Sequence, residues 1–398
     1  MLNNMNIVHD DKEIAKIQKK ISFCYHYDII PQNEKKIRSN RVQCFIVFQN
    51  DDKSSFAGTT VFIKESHKYM DLFNSYMQGM DPKFIPYGCP AFMKSLKLDI
   101  FNGRLAELRA YLDLVSEETE DESSRESNES QEYEPFVLGW AERVKSKWVR
   151  DAPKRFDLIV SDYRDGDIVL FHCGVIHAVL MEKENSVVRS KVYLDIYGKE
   201  CRKPDDTGFL CSDGIFKKRA RSYEKEKMQT KLNLEFPEEA HKFFFKLPHN
   251  ITINTDKNYK LKPYNSKEIT NKLNNDGVVI LRGIFPDNNL LNGICKYLQT
   301  LMDLPKKVDL SNPTHSKIIN DKNIQKKLGV NNNHLRRNEK NGRETHFPKN
   351  HGISGYGVFC KDVLQSCAVI HPLIKDIYKE LKFGNPICSG VDLSYQTG

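Results

Sequence analysis

The sequence predicts a mainly β fold with flanking helices, an α+β protein built on a β-sandwich or barrel. Three observations carry this. Short stretches rich in aromatic and β-branched residues recur between residues 21 and 198, separated by turn residues. Amphipathic helical patterns flank them, most clearly after residue 265. The chain has 398 residues, 39% hydrophobic and 29% charged, a globular composition with room for one large domain or two to three ordinary ones.

The elements follow in order. Residues 1–20 read as a short polar helix or an unstructured lead. ISFCYHYDII (21–30) is a strand, broken by Pro31-Gln32-Asn33. RVQCFIVFQN (41–50) is a nearly continuous apolar strand ending at an Asn-Asp-Asp turn, and AGTTVFIKESH (57–67) is a third. Residues 68–115 look helical and irregular, with Pro82, Pro86 and Pro90 as breakers. DAPKRFDLIVSDYRDGDIVLFH (151–172) holds two strands about a Tyr163-Arg164-Asp165-Gly166 turn. VIHAVLM and VVRSKVYLDIYG then flank Glu182–Ser186 as a hairpin. Residues 201–264 are polar, basic and poorly periodic, and read as a linker or wrapping segment. After them, SKEITNKLNNDG is a helix with Gly277 as its stop, VVILRGI (278–284) a buried strand, and 287–302 an amphipathic helix capped by Asp287. Residues 303–350 are loop-like, 361–381 are helical with Pro372 inside, and SGVDLSYQ (389–396) is an alternating strand.

Composition narrows the function classes. No run of about 18 apolar residues exists to form a membrane-spanning helix. The first twenty residues are too polar for a signal peptide. Ten cysteines without a C-x-x-C pair point to free thiols rather than a cysteine zinc site, and to a cytoplasmic or nuclear setting. Residues 116–134 carry nine acids against one arginine and no aliphatic side chain, so they read as a mobile surface insertion. The net charge of +8 admits nucleic acid as a partner, but the basic residues are dispersed and do not favour it. Lys217-Lys218-Arg219-Ala220-Arg221 is a short cluster of the kind that serves as a nuclear signal, a match that also arises by chance.

One constellation carries chemistry. His26 and Asp28 are two residues apart on a strand, so their side chains share a face. A neutral imidazole and a carboxylate there supply two ligands of a 2-His-1-carboxylate facial triad, which leaves positions open on Fe(II) for a 2-oxoacid and dioxygen. His177, in GDIVLFHCGVIHAV, is the best third ligand; His172 competes, and an offset of five puts the two on opposite faces of a strand. Arg189, twelve residues after His177, can hold a distal carboxylate of 2-oxoglutarate in a bidentate salt bridge. Thr59 or Thr60 is a further candidate for co-substrate binding.

These pieces resemble the phytanoyl-CoA dioxygenase-like family of Fe(II)/2-oxoglutarate-dependent oxygenases. The resemblance rests on YHYD (25–28), AGTTVFIKESHK (57–68) and GDIVLFHCGVIHAV with NSVVR (166–179 and 185–189), and spans most of 21–198. Lys64-Glu65 stand where the family has proline-glycine. The resemblance implies a double-stranded β-helix, the cupin-like jelly roll. It implies His26, Asp28 and His177 as catalytic iron ligands, Arg189 as co-substrate anchor, and His67 as a turn-capping residue rather than a ligand. The cofactors would be Fe(II) and 2-oxoglutarate, with ascorbate as an optional reductant. Asp28 argues for hydroxylation or desaturation, since halogenating relatives have a small residue there. The alternatives are a non-catalytic jelly-roll binding protein and a nucleic-acid-associated protein.

The later chain resembles the beginning of the same family. KEITNKLNNDGVVILRGIFPDNNLLNGICKYL (267–298) is similar to its opening helix, strand and helix, and 369–398 to the segment before H-x-D. The expectation is therefore a metal-binding part over 1–200, a basic linker over 201–264, and a segment over 265–398. That last segment either completes the first domain, as in a circular permutant, or starts a second copy, as in a fragment of a tandem protein. The composite reading places SGVDLSYQ in the sheet that holds YHYD.

Overall fold

The structure is a computed structural model that describes residues 5–28, 41–50, 59–86, 91–118, 133–180, 188–198, 210–212, 215–217, 259–285, 289–292, 361–384 and 386–397. Acidic residues 119–132, the connection 182–186, the basic cluster from Lys218 onward, nearly all of 201–258, most of 287–302 and all of 303–350 lie outside the described residues.

The early part of the chain supplies β1 (Asn6–Val8), α1 (Asp11–Gln18), β2 (Ile21–Tyr27), β3 (Val42–Asn50), β4 (Thr60–Ile63), α2 (Met70–Met80), β5 (Ala91–Met93), α3 (Leu98–Glu118), α4 (Pro135–Arg143), α5 (Ser146–Asp151), β6 (Leu158–Val160), β7 (Ile168–His172), β8 (His177–Leu180) and β9 (Val188–Gly198). A short hairpin, β10 (Leu210–Ser212) and β11 (Ile215–Lys217), lies within the expected linker. The later part adds α6 (Ser266–Asp276), β12 (Val278–Leu281), α7 (Lys361–Glu380) and β13 (Pro386–Thr397). Helix starts and stops follow local chemistry. Asp10 accepts the Glu13 amide at 3.2 Å and Asn265 accepts the Glu268 amide at 3.3 Å, each satisfying an orphan donor. Gly277 ends α6 at φ 84°, where a Cβ would meet His67 Nδ1 and Val175 at under 3 Å.

Among the described residues the fold is mixed α+β, with two large antiparallel sheets and no closed barrel. One sheet runs β1-β6-β4-β8-β2-β5 and the other β12-β7-β3-β9-β13. They pack face to face: Phe45 and Val47 of β3, Val169 and Phe171 of β7, and Val278 and Ile280 of β12 meet Phe62 of β4 and Ile159 of β6 in one buried cluster. Strand alternation sends the intervening residues outward. Tyr25, Tyr27, Val61, Ile63, Leu158 and Ala178 face a helical layer anchored by Phe73, Phe101 and Trp140. On the other side Cys44, Ile46, Leu170 and Val279 are fully buried, and Tyr378 Oη of α7 accepts the Val42 amide at 3.1 Å.

The later segment is woven into the earlier one. β12 pairs with β7 from Val278↔Phe171 to Leu281↔Ile168, and β13 pairs with β9 from Pro386↔Gly198 to Thr397↔Val188. The expected placement of SGVDLSYQ is corrected: it lies in the sheet opposite YHYD. In a two-sheet sandwich a strand and its neighbour in order commonly cross between sheets, so adjacency in a family pattern does not mean pairing. The last residues of 201–264 dock on the later segment: the Lys262 amide donates to Ile284 O at 2.8 Å and Tyr264 Oη to Asp376 at 2.8 Å. Four further short elements, β1, β5, α4 and α5, are absent from the sequence reading.

An ion pair fastens the two parts. Arg282 donates to both oxygens of Asp167, Nε to Oδ1 at 3.1 Å and Nη2 to Oδ2 at 2.9 Å, and Nη2 also reaches Asp162 O at 2.6 Å. Asp167 is fully buried in the turn before β7. Removing one partner of a buried pair strands the other charge, a cost of roughly 3–5 kcal/mol. Arg282→Ala should therefore lower the unfolding free energy by about 3 kcal/mol or more in urea titrations. A change below about 0.5 kcal/mol, the size of an ordinary surface substitution, would contradict this role.

Candidate metal centre

Four strands place a row of rings across the inner face of the six-stranded sheet. Register sets Phe62 of β4 opposite His177 of β8, His177 opposite His26 of β2, and His26 opposite Phe92 of β5. Residues directly opposite in a ladder share a face, so all four point into the space between the sheets. The ring centroids are 6.0, 4.2 and 6.0 Å apart in that order. Exposure rises along the row: Phe62 is sealed, His177 is 6% exposed, His26 half-buried and Phe92 38% exposed. The row therefore leads from the hydrophobic core to solvent.

β2 reaches this alignment through irregular pairing. Between Phe23↔Val179 and His26↔His177 it uses one more residue than β8, and a second shift lies between Ile21 and Phe23. Such bulges re-aim side chains beside functional sites. Here they leave Tyr25 and Tyr27 buried against the helices and turn His26 inward. Past the strand end, the Asp28 amide donates to Cys173 O at 3.1 Å, which fixes the backbone that carries the carboxylate.

His26, Asp28 and His177 converge, with ligand atoms all within 4.8 Å of one another, and form the metal-capable group found among the described residues. His177 Nε2 lies 3.6 Å from Asp28 Oδ2. The donor chemistry fits a metal. Each imidazole sets its Nδ1 3.0 Å from a carbonyl two residues earlier, His26 on Cys24 O and His177 on Val175 O. A carbonyl can only accept, so each Nδ1 carries the proton and each Nε2 keeps its lone pair for a ligand. Burial works to raise the Asp28 carboxyl, but the neighbouring imidazoles of His177 and His26, the Gln43 amide and the Arg41 guanidinium favour the anion and hold the group below the usual carboxylate range. Two neutral nitrogens and one carboxylate are the donor set of sites that keep positions open for substrate.

The other sequence candidates fall as follows. His172 stays outside the triad. It ends β7 in the opposite sheet, so the pair differs by sheet and not by face of one strand as expected. Its Nδ1 accepts the Gly174 amide at 3.0 Å, and its ring lies 5.0 Å from His67. Thr59 is fully buried just before β4, and its carbonyl accepts the Leu180 amide at 2.9 Å. Arg189 lies in β9 opposite Asn50 and Gln396, and its side chain is outside the described part of the structure. Two residues escaped the sequence reading. Gln43 donates to Asp28 Oδ2 at 3.0 Å, and Arg41 Nη1 donates to Asp28 O at 3.2 Å. A polar residue inside the apolar run RVQCFIVF, at even spacing from Phe45 and Val47, was the available signal for Gln43.

Comparison with protein-family models, with curated proteins and with solved structures finds no match to this chain.

His67 gives a prediction on pH. Its Nε2 approaches Asn274 O at 3.1 Å, joining the turn after β4 to α6. Burial, with His172 second, drives its pKa from 6.5 down to about 3. Between these values the unfolded chain binds a proton that the folded chain refuses, so stability falls as pH drops through that window. Native protein should lose unfolding free energy with falling pH faster than His67→Gln, by up to about 1.4 kcal/mol per pH unit between pH 6 and 4. Equal slopes for the two proteins would show that His67 is not the group responsible.

Proposed function

We propose that the chain is an Fe(II)/2-oxoglutarate-dependent dioxygenase that hydroxylates a small-molecule or acyl substrate on a jelly-roll scaffold. The observation that carries this reading is the convergence of His26, Asp28 and His177, with both Nε2 atoms preset as lone-pair donors. Strand order supports the scaffold. With β13 counted first, and β2, β3, β4, β6, β7, β8 and β9 following, one sheet runs 6-3-8-1 and the other 5-4-7-2, flanked by β12, β1 and β5. This is the order that two interlocked Greek keys produce. On this count the roll's first strand follows its eighth in the chain, which favours one composite domain over a second copy.

Iron with bound 2-oxoglutarate would supply the oxygen activation that protein side chains lack. The chain's own part is to hold and shield. His26, Asp28 and His177 would be the iron ligands on one face, leaving the remaining positions to co-substrate and oxygen. Phe62 and Phe171, whose rings lie 6.0 and 5.2 Å from His177, close the inner side against water. His26 and Asp28 keep partial exposure, so the substrate approaches from their side, past Phe92. Arg189, on the strand between β3 and β13, is the proposed partner of the distal carboxylate of 2-oxoglutarate. Thr59 is a second proposed contact. No helix among the described residues is long and apolar enough to cross a membrane.

The test is succinate release from labelled 2-oxoglutarate with Fe(II) and ascorbate, in native protein and in His177→Ala and Asp28→Ala. Native protein should form succinate above background, and each variant should fall to background while keeping its fold. Iron-loaded native protein that never decarboxylates 2-oxoglutarate, across a panel of acyl and small-molecule substrates, would favour a non-catalytic jelly-roll binding protein.

A further inference from the structure

The strand opposite the metal-capable group carries a side chain that sequence reading passed over. Gln43 lies on β3, in the sheet facing β2 and β8, with the spacing that also sends Phe45 and Val47 inward. It is 9% exposed. Its Nε2 donates to Asp28 Oδ2 at 3.0 Å. Its Oε1 is sealed from solvent and has no hydrogen-bond partner among the described residues. The orientation of the amide follows from charge: the reverse orientation would set a carbonyl oxygen against a carboxylate and strand an N–H₂ instead.

Each half of this amide has a consequence. A carboxylate can bind a metal through one oxygen or two. An N–H bond to Oδ2 orients the carboxylate and stabilises its anion, which favours coordination through one oxygen over two. One-oxygen binding frees a position on the ion. A buried carbonyl oxygen without a donor is costly, and structures that retain one commonly have a use for it. The two ends of a primary amide are separated by little more than 2 Å in ordinary covalent geometry. Oε1 therefore lies within a few ångströms of the Asp28 carboxylate, close enough to accept from a water on the ion.

We infer that Gln43 is a positioning residue of the metal centre: its Nε2 fixes Asp28 as a one-oxygen ligand, and its Oε1 accepts a hydrogen bond from a water bound to the ion. This rests on the metal reading proposed above. Arg41, just before the same strand, completes the support through its bond to the Asp28 carbonyl at 3.2 Å. The arrangement gives the five-stranded sheet a direct part in a site whose ligands come from β2, its end and β8. The divalent ion is thereby sensitive to the packing of one sheet on the other.

The test uses Co(II) as the probe, in metal-stripped full-length chain, with calorimetry for affinity and visible absorption for coordination. Gln43→Met keeps length and removes both polar groups; Gln43→Glu keeps an acceptor and removes the donor. Near-ultraviolet circular dichroism establishes that each variant is folded. Native protein should bind Co(II), and Gln43→Met should bind about 10–100-fold more weakly with an altered d–d envelope. Gln43→Glu should show an altered envelope as well, because the donor to Oδ2 is gone. Should Gln43→Met fail to fold, the Gln43→Glu spectrum decides. A folded variant with native affinity and a native spectrum would overturn the inference while leaving the metal centre standing. Native protein that takes up no Co(II) would overturn the metal centre itself, and this inference with it.

Discussion

His26 and His177 come from segments about 150 residues apart, yet their rings lie 4.2 Å from each other because the β2–β8 ladder sets them directly opposite. The rest of the site depends on this register. A slip of one residue would carry His26 into the helical layer and put Tyr25 or Tyr27 between the sheets. The bulges in β2 oppose such a slip, since they fit only where an extra residue is accommodated. The two tyrosines oppose it too: both are fully buried among aromatic helical residues, and Tyr27 Oη donates to Asn74 at 2.9 Å. Core packing on one face of the strand thus sets the direction of the ligands on the other.

The same economy appears in how burial is distributed. The ring row runs from sealed Phe62 to exposed Phe92, so the centre is dry behind and open in front. Polar groups near it are secured by backbone atoms and not by bulk solvent: Cys24 O and Val175 O hold the imidazoles, and Cys173 O holds the Asp28 amide. Cys173 itself is inert. Burial pushes its thiol up to about 12, so it contributes a carbonyl and not a nucleophile. The neighbouring strands contribute in turn, and β7, β3 and β9 are completed on their two edges by β12 and β13 from the later chain.

Some of this was readable from residues alone. The period of two in YHYD placed His26 and Asp28 together, and His177 was the better of two candidates for the third position, favoured over His172 by the family resemblance. Gly277 announced the end of α6 because a left-handed residue packed against His67 and Val175 must be glycine. Other features depend on which strands become neighbours, which no local pattern encodes. The sheet that takes β13 was misread for that reason. The Arg282–Asp167 pair joins residues 115 apart, and a lone arginine after a strand carries no mark of its partner. β5 is three residues long and is defined only by its pairing with His26 and its neighbours. Gln43 sits in an otherwise apolar strand, and its role depends on Asp28 lying beside it. Arg189 shows the converse: its position in β9 follows from the strand pattern, whereas a role depends on where the guanidinium lies.

The central claim is that one composite fold presents a single 2-His-1-carboxylate centre to an iron ion and a chelating 2-oxoacid. The most direct measurement is an anaerobic titration of the native chain with Fe(II) followed by 2-oxoglutarate, watched in the visible region. The account predicts a weak charge-transfer band of the iron–oxoacid chelate that appears only when both are present and saturates at a single equivalent per chain. Bound iron that gives no such band at saturating 2-oxoglutarate would contradict it.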